Sequence, residues 1–214
     1  DGTLVRYGND PEDYSTDVLN GIGIEFVQDA VAAEAPFFLY LAPFAPHGPS
    51  TPAERHRDAF AGAEAPRVPS FAEQDVSDKP AWVQAHRALT ATDVALIDER
   101  YQRRLRSLLA VDEMVADLMQ TLAATGTLAN TYVVFASDNG YQLGEHRLPA
   151  GKQAAYDEST RIPLIVRGPG TPAGSTEDAL VLNIDLAPTF AALAGATTPE
   201  FVDGRSFVPF LTGA

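Results

Sequence analysis

The chain has 214 residues, 45% of them hydrophobic, and a formal charge of −14 from 15 Lys+Arg against 29 Asp+Glu. A surface this acidic repels nucleic acid and anionic membrane, which excludes both as general partners. No apolar run reaches the ~20 residues that span a bilayer, and the zero cysteine count excludes disulfides and a thiol nucleophile within these residues. It leaves the compartment open, cytoplasmic or extracytoplasmic.

Residues 1–14 are polar and read as a loop. Ser15 or Thr16 can cap a helix in which Leu19, Ile22, Phe26 and Ala30 fall at helical spacing, until Pro36 ends it. Gly21 and Gly23 each weaken that helix by about 1 kcal/mol, so it relies on packing. Phe37–Ala42 has the composition of a buried strand. The loop after it, Pro43 to Pro49, holds His47 between Pro46 and the Gly48-Pro49 pair. Such a histidine either caps its own loop or, held rigidly at the carboxyl edge of a sheet, donates to an anion and acts as a general acid.

Residues 50–88 lack long periodicity. A short helix is expected over Pro52–Phe60, and the whole segment reads as an insertion over the sheet edge. Trp82 within it is a sugar-stacking platform or a loop-anchoring core residue. From Thr92 to Ala124 a long helix is predicted by Val94, Ile97, Tyr101, Leu105, Leu108, Val111, Val115, Leu118 and Leu122. Arg103, Arg104 and Arg106 are assigned to its solvated face, and Gly126 suits its C-terminal end.

A strand follows over Tyr132–Ala136 and stops at Ser137-Asp138-Asn139-Gly140. Open α/β sheets bind ligands at the carboxyl ends of their strands. There Asp138 and Asn139 can offer two hard oxygens to Ca²⁺ or Mg²⁺, although Asp-Asn-Gly is equally a turn signal. His146, Arg147 and Lys152 come next, and a metal followed by cations points to an anionic substrate. Further strands are expected at Ile162–Val166 and Val181-Leu182, and a helix capped by Asp185 runs to Leu193. Strand-like and helical segments alternate, so the class is α/β, organised as one domain.

Five segments occur in an order that resembles type I, formylglycine-dependent sulfatases of the alkaline phosphatase superfamily. They are Ala45–Pro49, Ser137–Gly140, Gly151-Lys152 through Tyr156–Ser159, Arg161–Val166 and Asp185–Thr189. The stretch Arg104–Asp112, with the Gly140-Tyr141 junction, looks most like the N-acetylglucosamine-6-sulfatase branch. The resemblance implies a three-layer α/β/α fold with a largely parallel or mixed central sheet, and hydrolysis of sulfated carbohydrate or aryl sulfate esters. It further implies that Asp138 and Asn139 are Ca²⁺ ligands, with Mg²⁺ the alternative. Lys152 would contact the sulfate and its leaving oxygen, His47 would bind sulfate or protonate that oxygen, and His146 would be a further contact.

Family members carry upstream a Cys or Ser in a C/S-x-P/A-x-R motif that becomes formylglycine, the nucleophile. No such motif occurs in these residues. The chain is therefore expected to be the central-to-C-terminal part of a sulfatase, inactive alone; a separate alternative is an unfinished sheet that associates through its exposed edge as a homo-oligomer. The rivals are a phosphatase, phosphodiesterase or phosphonate hydrolase of the same superfamily, and a non-catalytic sulfatase-like binding module. Lys79 and Lys152 are the only lysines, so a lysine inside the motif suggests that a compact ammonium is needed there.

Overall fold

The computed structural model describes residues 4–212. They form two compact units, residues 4–128 with Tyr141–Ser159, and Ala129–Gly140 with residues 160–212.

The first unit is built on two helices, α1 (Ser15–Ala32) and α3 (Ala91–Ala124), with a single-turn α2 (Ala81–Gln84) between them in sequence. Gly23 answers the question raised by two glycines in one helix. A Cβ there would stand 2.9 Å from Leu41 Cδ1 and 3.5 Å from Leu118 Cδ2, so α1 can approach its neighbours only without a side chain at this point. Gly21 faces open space. Arg55 ties the same helices together, pairing with Asp17 at 2.7 Å and Glu113 at 2.5 Å.

Helix α3 has 34 residues, about 50 Å of axis at 1.5 Å per residue. It starts at a reciprocal cap: Asp93 N–H donates to Thr90 Oγ1 (3.2 Å), and Thr90 N–H donates to Asp93 Oδ2 (2.7 Å). Thr90→Ala should lower the unfolding free energy by about 1 kcal/mol, read from denaturant midpoints at constant slope. The helix ends before Gly126, which sits at φ +73 as a C-terminal glycine should. Its buried stripe includes Ile97, Val111 and Leu122 as the spacing predicts, together with the smaller Ser107 and Ala110 where neighbouring segments come close.

Phe37–Ala42 does not join a sheet among the described residues. It alternates half-buried with exposed residues, leaving Phe38 65% and Tyr40 77% exposed. Composition sets the pleat of a strand but not its ladder partner. The expected helix over Pro52–Phe60 reduces to a 3-10 turn, Glu54–His56, followed by turns. Segment 65–76 folds back on residues 143–146: Ala72 N–H donates to the Gly144 carbonyl (3.0 Å), and His146 N–H donates to the Ser70 carbonyl (2.8 Å).

In the second unit β1 (Val133–Ala136) pairs with β2 (Leu164–Arg167), in the register Val133↔Arg167 to Ala136↔Leu164. The pair is antiparallel, which a mixed sheet of the expected α/β class accommodates. Tyr132 closes its end by donating from its hydroxyl to the Pro169 carbonyl (2.7 Å). Val181-Leu182 is not a strand; it leads into a 3-10 turn, Asn183–Asp185, and then α5 (Leu186–Leu193), the single-turn α4 (Asp157–Thr160) lying before β2 in sequence. Asp185 does not cap α5 with its side chain. Its carboxylate accepts from Arg205 N–H (2.7 Å) and Leu182 N–H (2.9 Å), and these two backbone bonds hold its pKa below the usual range. Phe207 and Leu211, the latter on α6 (Val208–Thr212), are buried in this unit together with Thr189. Among the described residues no helix is long and apolar enough to cross a membrane.

Candidate active site

His47 lies in a tight loop of the first unit. Its N–H donates to the Phe44 carbonyl (2.8 Å), and Ser50 N–H donates to the His47 carbonyl (2.9 Å). Ser50 Oγ also donates to the Pro46 carbonyl (2.9 Å), and the peptide bonds before Pro46 and Pro49 are cis. The imidazole stands 4.8 Å from the Phe44 ring with Nδ1 2.9 Å from the Gly48 carbonyl. A carbonyl can only accept, so Nδ1 carries a proton and Nε2 is the nitrogen left to exchange one.

The loop is braced from α3. Arg104 Nη1 donates to the Pro46 carbonyl (3.0 Å) while its guanidinium stacks 3.9 Å over the Tyr141 ring, and Arg103 donates to the Pro49 carbonyl. Arg100, one turn earlier, donates to the Ala150 carbonyl (3.2 Å). Arg106 Nε donates to the Ala59 carbonyl (2.5 Å). These arginines are therefore not a solvated face: through α3 the His47 loop and the loop 141–151 share one rigid support. Burial, and to a lesser extent the nearby Arg100, holds the Arg104 guanidinium below its ordinary pKa, and Tyr141 acts against both.

Loop 141–151 carries His146 and leads to Lys152. The reciprocal bonds Gln142 N–H to the Gly151 carbonyl (2.7 Å) and Gly151 N–H to the Gln142 carbonyl (3.0 Å) close its neck. Gly144, at φ +104, is required, because a Cβ would meet Ile97 Cδ1 at 2.8 Å. His146 and Arg147 follow with φ 54 and 61, a left-handed pair of non-glycine residues of the kind that concentrates at functional sites. His146 Nδ1 lies 2.8 Å from Glu73 Oε2, and its ring is 4.2 Å from that of Tyr156. Lys152 is exposed, directly after the neck.

Glu73 is the partner of His146 that sequence reasoning passed over. It receives His146 on one oxygen and Lys79 (3.2 Å) on the other, and Arg147 Nε donates to its carbonyl (2.6 Å). Lys79, the second of the two lysines, is thereby a structural partner. The only sequence signal was a carboxylate in a segment without periodicity, far from the histidine it serves. Trp82 is 51% exposed, with its ring 6.3 Å from Tyr156, so it is not a core residue; Val83 beside it is the buried one.

His146 first, and then Lys79, pull the Glu73 pKa below its ordinary value against partial desolvation. A depressed carboxylate contributes stability that is full above its unfolded pKa and lost as pH falls through the folded one. The thermal midpoint of wild type should therefore exceed that of Glu73→Gln at neutral pH, and the gap should close below about pH 4.3. A gap independent of pH would contradict the pairing.

Asp138 and Asn139 belong to the second unit, in the turn that ends β1. Asn139 N–H donates to Asp138 Oδ1 (2.9 Å), Asn183 Nδ2 donates to the Asp138 carbonyl (2.9 Å), and Ser137 Oγ donates to the Asn139 carbonyl (2.8 Å). Asn139 Nδ2 donates to the Gly140 carbonyl (2.8 Å), which turns its amide oxygen the opposite way. The chain bends here at the end of β1, and the two side chains at the bend are a carboxylate and an amide. A carboxylate and an amide oxygen suit a hard cation in donor type, and are two of the about six to eight oxygens Ca²⁺ takes. Among the described residues no group of three or more His, Cys, Asp or Glu is placed to hold a metal.

Comparison with known proteins places this chemistry in a family. Residues 4–196 match the family described as Sulfatase. The N-acetylglucosamine-6-sulfatase of Bos taurus is 37% identical over 100% of this chain and 38% of its own length, and the arylsulfatase of Volvox carteri is 39% identical over 87% and 32%. A solved structure in complex with its substrate, D-glucosamine-2-N,6-O-disulfate, superposes with a TM-score of 0.74 at 27% identity, over 93% of this chain and 52% of that one. The phosphonate monoester hydrolase of Silicibacter pomeroyi gives 0.75 at 25%, over 95% and 42%. These likenesses carry the α/β fold of the alkaline phosphatase-like sulfatases, of which the two units are part. The chain spans roughly a third to two-fifths of the length of these curated relatives. It belongs to the sulfatase family.

Proposed function

We propose that the full-length protein containing this chain hydrolyses sulfate esters of carbohydrates, with a sulfated amino sugar as the substrate class. The observation that carries this is the common brace, in which Arg100, Arg103 and Arg104 of α3 hold the loops bearing His47 and His146 and the neck before Lys152. Rigid support of two loops that carry imidazoles is what a transition state of fixed geometry demands.

Family membership implies a divalent metal and a formylglycine in general; when bound, these supply positive charge for the sulfuryl oxygens and the nucleophile. Asp138 and Asn139 hold the metal, as Ca²⁺. Lys152 neutralises the sulfate and the charge that grows on the departing oxygen. His47, anchored through Nδ1, delivers the Nε2 proton to that oxygen. His146, oriented by Glu73, contacts the sulfated sugar. The 214 residues contain no C/S-x-P/A-x-R nucleophile motif, so the chain by itself should not turn over.

Release of sulfate from N-acetylglucosamine 6-sulfate by the full-length protein, with none from the 214-residue chain, tests this directly. The likeness to a phosphonate monoester hydrolase favours a second reading, cleavage of phosphonate or phosphate esters. Relatives with paired transition metals tend to place Asp-His at the strand end, because imidazole nitrogen suits Zn²⁺ or Mn²⁺. Asp138-Asn139 offers oxygen alone, which argues for the sulfatase. Phosphonate turnover above sulfate turnover would reverse the order of the two readings.

A further inference from the structure

In a chain of formal charge −14, one cavity of the first unit is lined by cations. It has a volume of about 310 Å³, with Arg87, Arg100, Arg147 and His86 in its wall and Asp93 as the carboxylate among them. Asp93 is committed. It accepts from Arg87 Nη1 (2.6 Å) and Nη2 (3.0 Å) and from Thr90 in the cap of α3, so it cancels Arg87 and no other charge. His86 has no ion pair among the described residues.

Arg100 and Arg147 are different. Their hydrogen bonds go to backbone carbonyls, Ala150 for the first and Glu73 and Gln74 for the second, with the Tyr141 hydroxyl 3.5 Å from Arg100. Neither has a carboxylate within 4.0 Å among the described residues. Asp75, whose own carboxylate is held down first by Ser77, is close enough to feel Arg147 without bonding to it. Carbonyls fix the planes of two guanidiniums and leave their charges standing. The fixed planar fork of arginine matches the oxygens of a sulfo or carboxylate group.

The remaining wall suits a sugar. Leu96 is 58% exposed and lines the cavity beside buried Ile97, an apolar surface for the CH face of a ring. The volume is at the lower end of ligand pockets, which run from about 300 Å³ upward, and so suits a small ligand. Arg147 also follows His146 directly, the two sharing the left-handed stretch of loop 141–151. One side chain of that stretch turns to Glu73 and the other lines the cavity.

We propose that this cavity is a second oxyanion subsite that takes a sulfo or carboxylate group of an acidic sugar. Its consequence for catalysis, a preference for substrates with an anion besides the ester that is cleaved, rests on the hydrolase function proposed above.

The test is calorimetric titration of the full-length protein with N-sulfoglucosamine, which carries no sulfate ester, and separately with glucuronic acid; the two arms distinguish a sulfo from a carboxylate ligand. Wild type should bind at least one of them. Arg100→Gln should weaken that binding by about tenfold or more, Arg100→Lys by less, and Lys152→Ala by under twofold. Leu96→Glu, at an exposed position that needs no refolding of the core, should produce the same loss by adding a carboxylate. Failure of wild type to bind either sugar, binding at the wild-type level by both Arg100→Gln and Leu96→Glu, or loss confined to Lys152→Ala would overturn the subsite. Sulfate release is assayed separately, so absence of turnover would count against the hydrolase and leave the binding result to decide the subsite.

Discussion

Asp138→Ala in the full-length protein should lower kcat/KM for a sulfate ester by about a thousandfold, with loss of the bound divalent cation. Asp138 is the charged member of the oxygen pair after β1, and an amide alone is a weak ligand for a hard ion. Its removal should not melt the turn. The Asp138 carbonyl is still held by Asn183, the Asn139 carbonyl by Ser137, and the Asn139 side chain by the Gly140 carbonyl. What the alanine variant loses is one carboxylate and one bond, Asn139 N–H to Asp138 Oδ1. Elemental analysis and kinetics on the same preparation, with an unfolding midpoint close to wild type, check this. Unchanged turnover with unchanged metal content would remove Asp138 from the site.

Lys152→Arg should lower turnover more than tenfold although it keeps the charge. Lys152 follows the closed neck between Gln142 and Gly151 and precedes Gln153 at φ 81, so its backbone is set within a constrained stretch. A compact ammonium can sit between a sulfuryl oxygen and the leaving oxygen as a point charge. A planar guanidinium is larger and directs its donors as a fork. Lys79 is a structural lysine, its ammonium engaged by Glu73 (3.2 Å) and Asp78 (2.7 Å). Near-normal kcat for Lys152→Arg would show that only charge matters at this position.

The parts of this molecule that could be read from the sequence are those whose causes are local. Helix α3 announces itself by Gly126 at its end and by apolar residues every three or four positions before it, whereas the Thr90–Asp93 cap that starts it emerged only from the structure. β1 and the turn at Asp138-Asn139 are legible for the same reason: a β-branched run meets residues that favour a turn. Phe37–Ala42 has an equally strand-like composition, but ladder formation depends on a partner that composition does not name. The arginines of α3 looked solvated because their acceptors are backbone carbonyls some 50 residues away, in loops whose course was unknown. Glu73 was hidden likewise: its bond to His146 crosses 73 positions from a segment without periodicity. One retrospective signal was available. An acidic chain that places Arg100, Arg103, Arg104 and Arg106 within two turns of one helix, beside the small residues Ser107 and Ala110, is preparing that surface for close contact rather than for water.

Hard-cation chemistry at the end of β1, directed at sulfate, is tested most directly by measuring which metal the full-length protein retains, and in what ratio, after purification without added metal. Near one equivalent of Ca²⁺ per chain, lost together with sulfate ester turnover in Asp138→Ala, is the expected result. Two equivalents of Zn²⁺ or Mn²⁺, with turnover of phosphonate rather than sulfate esters, would contradict it.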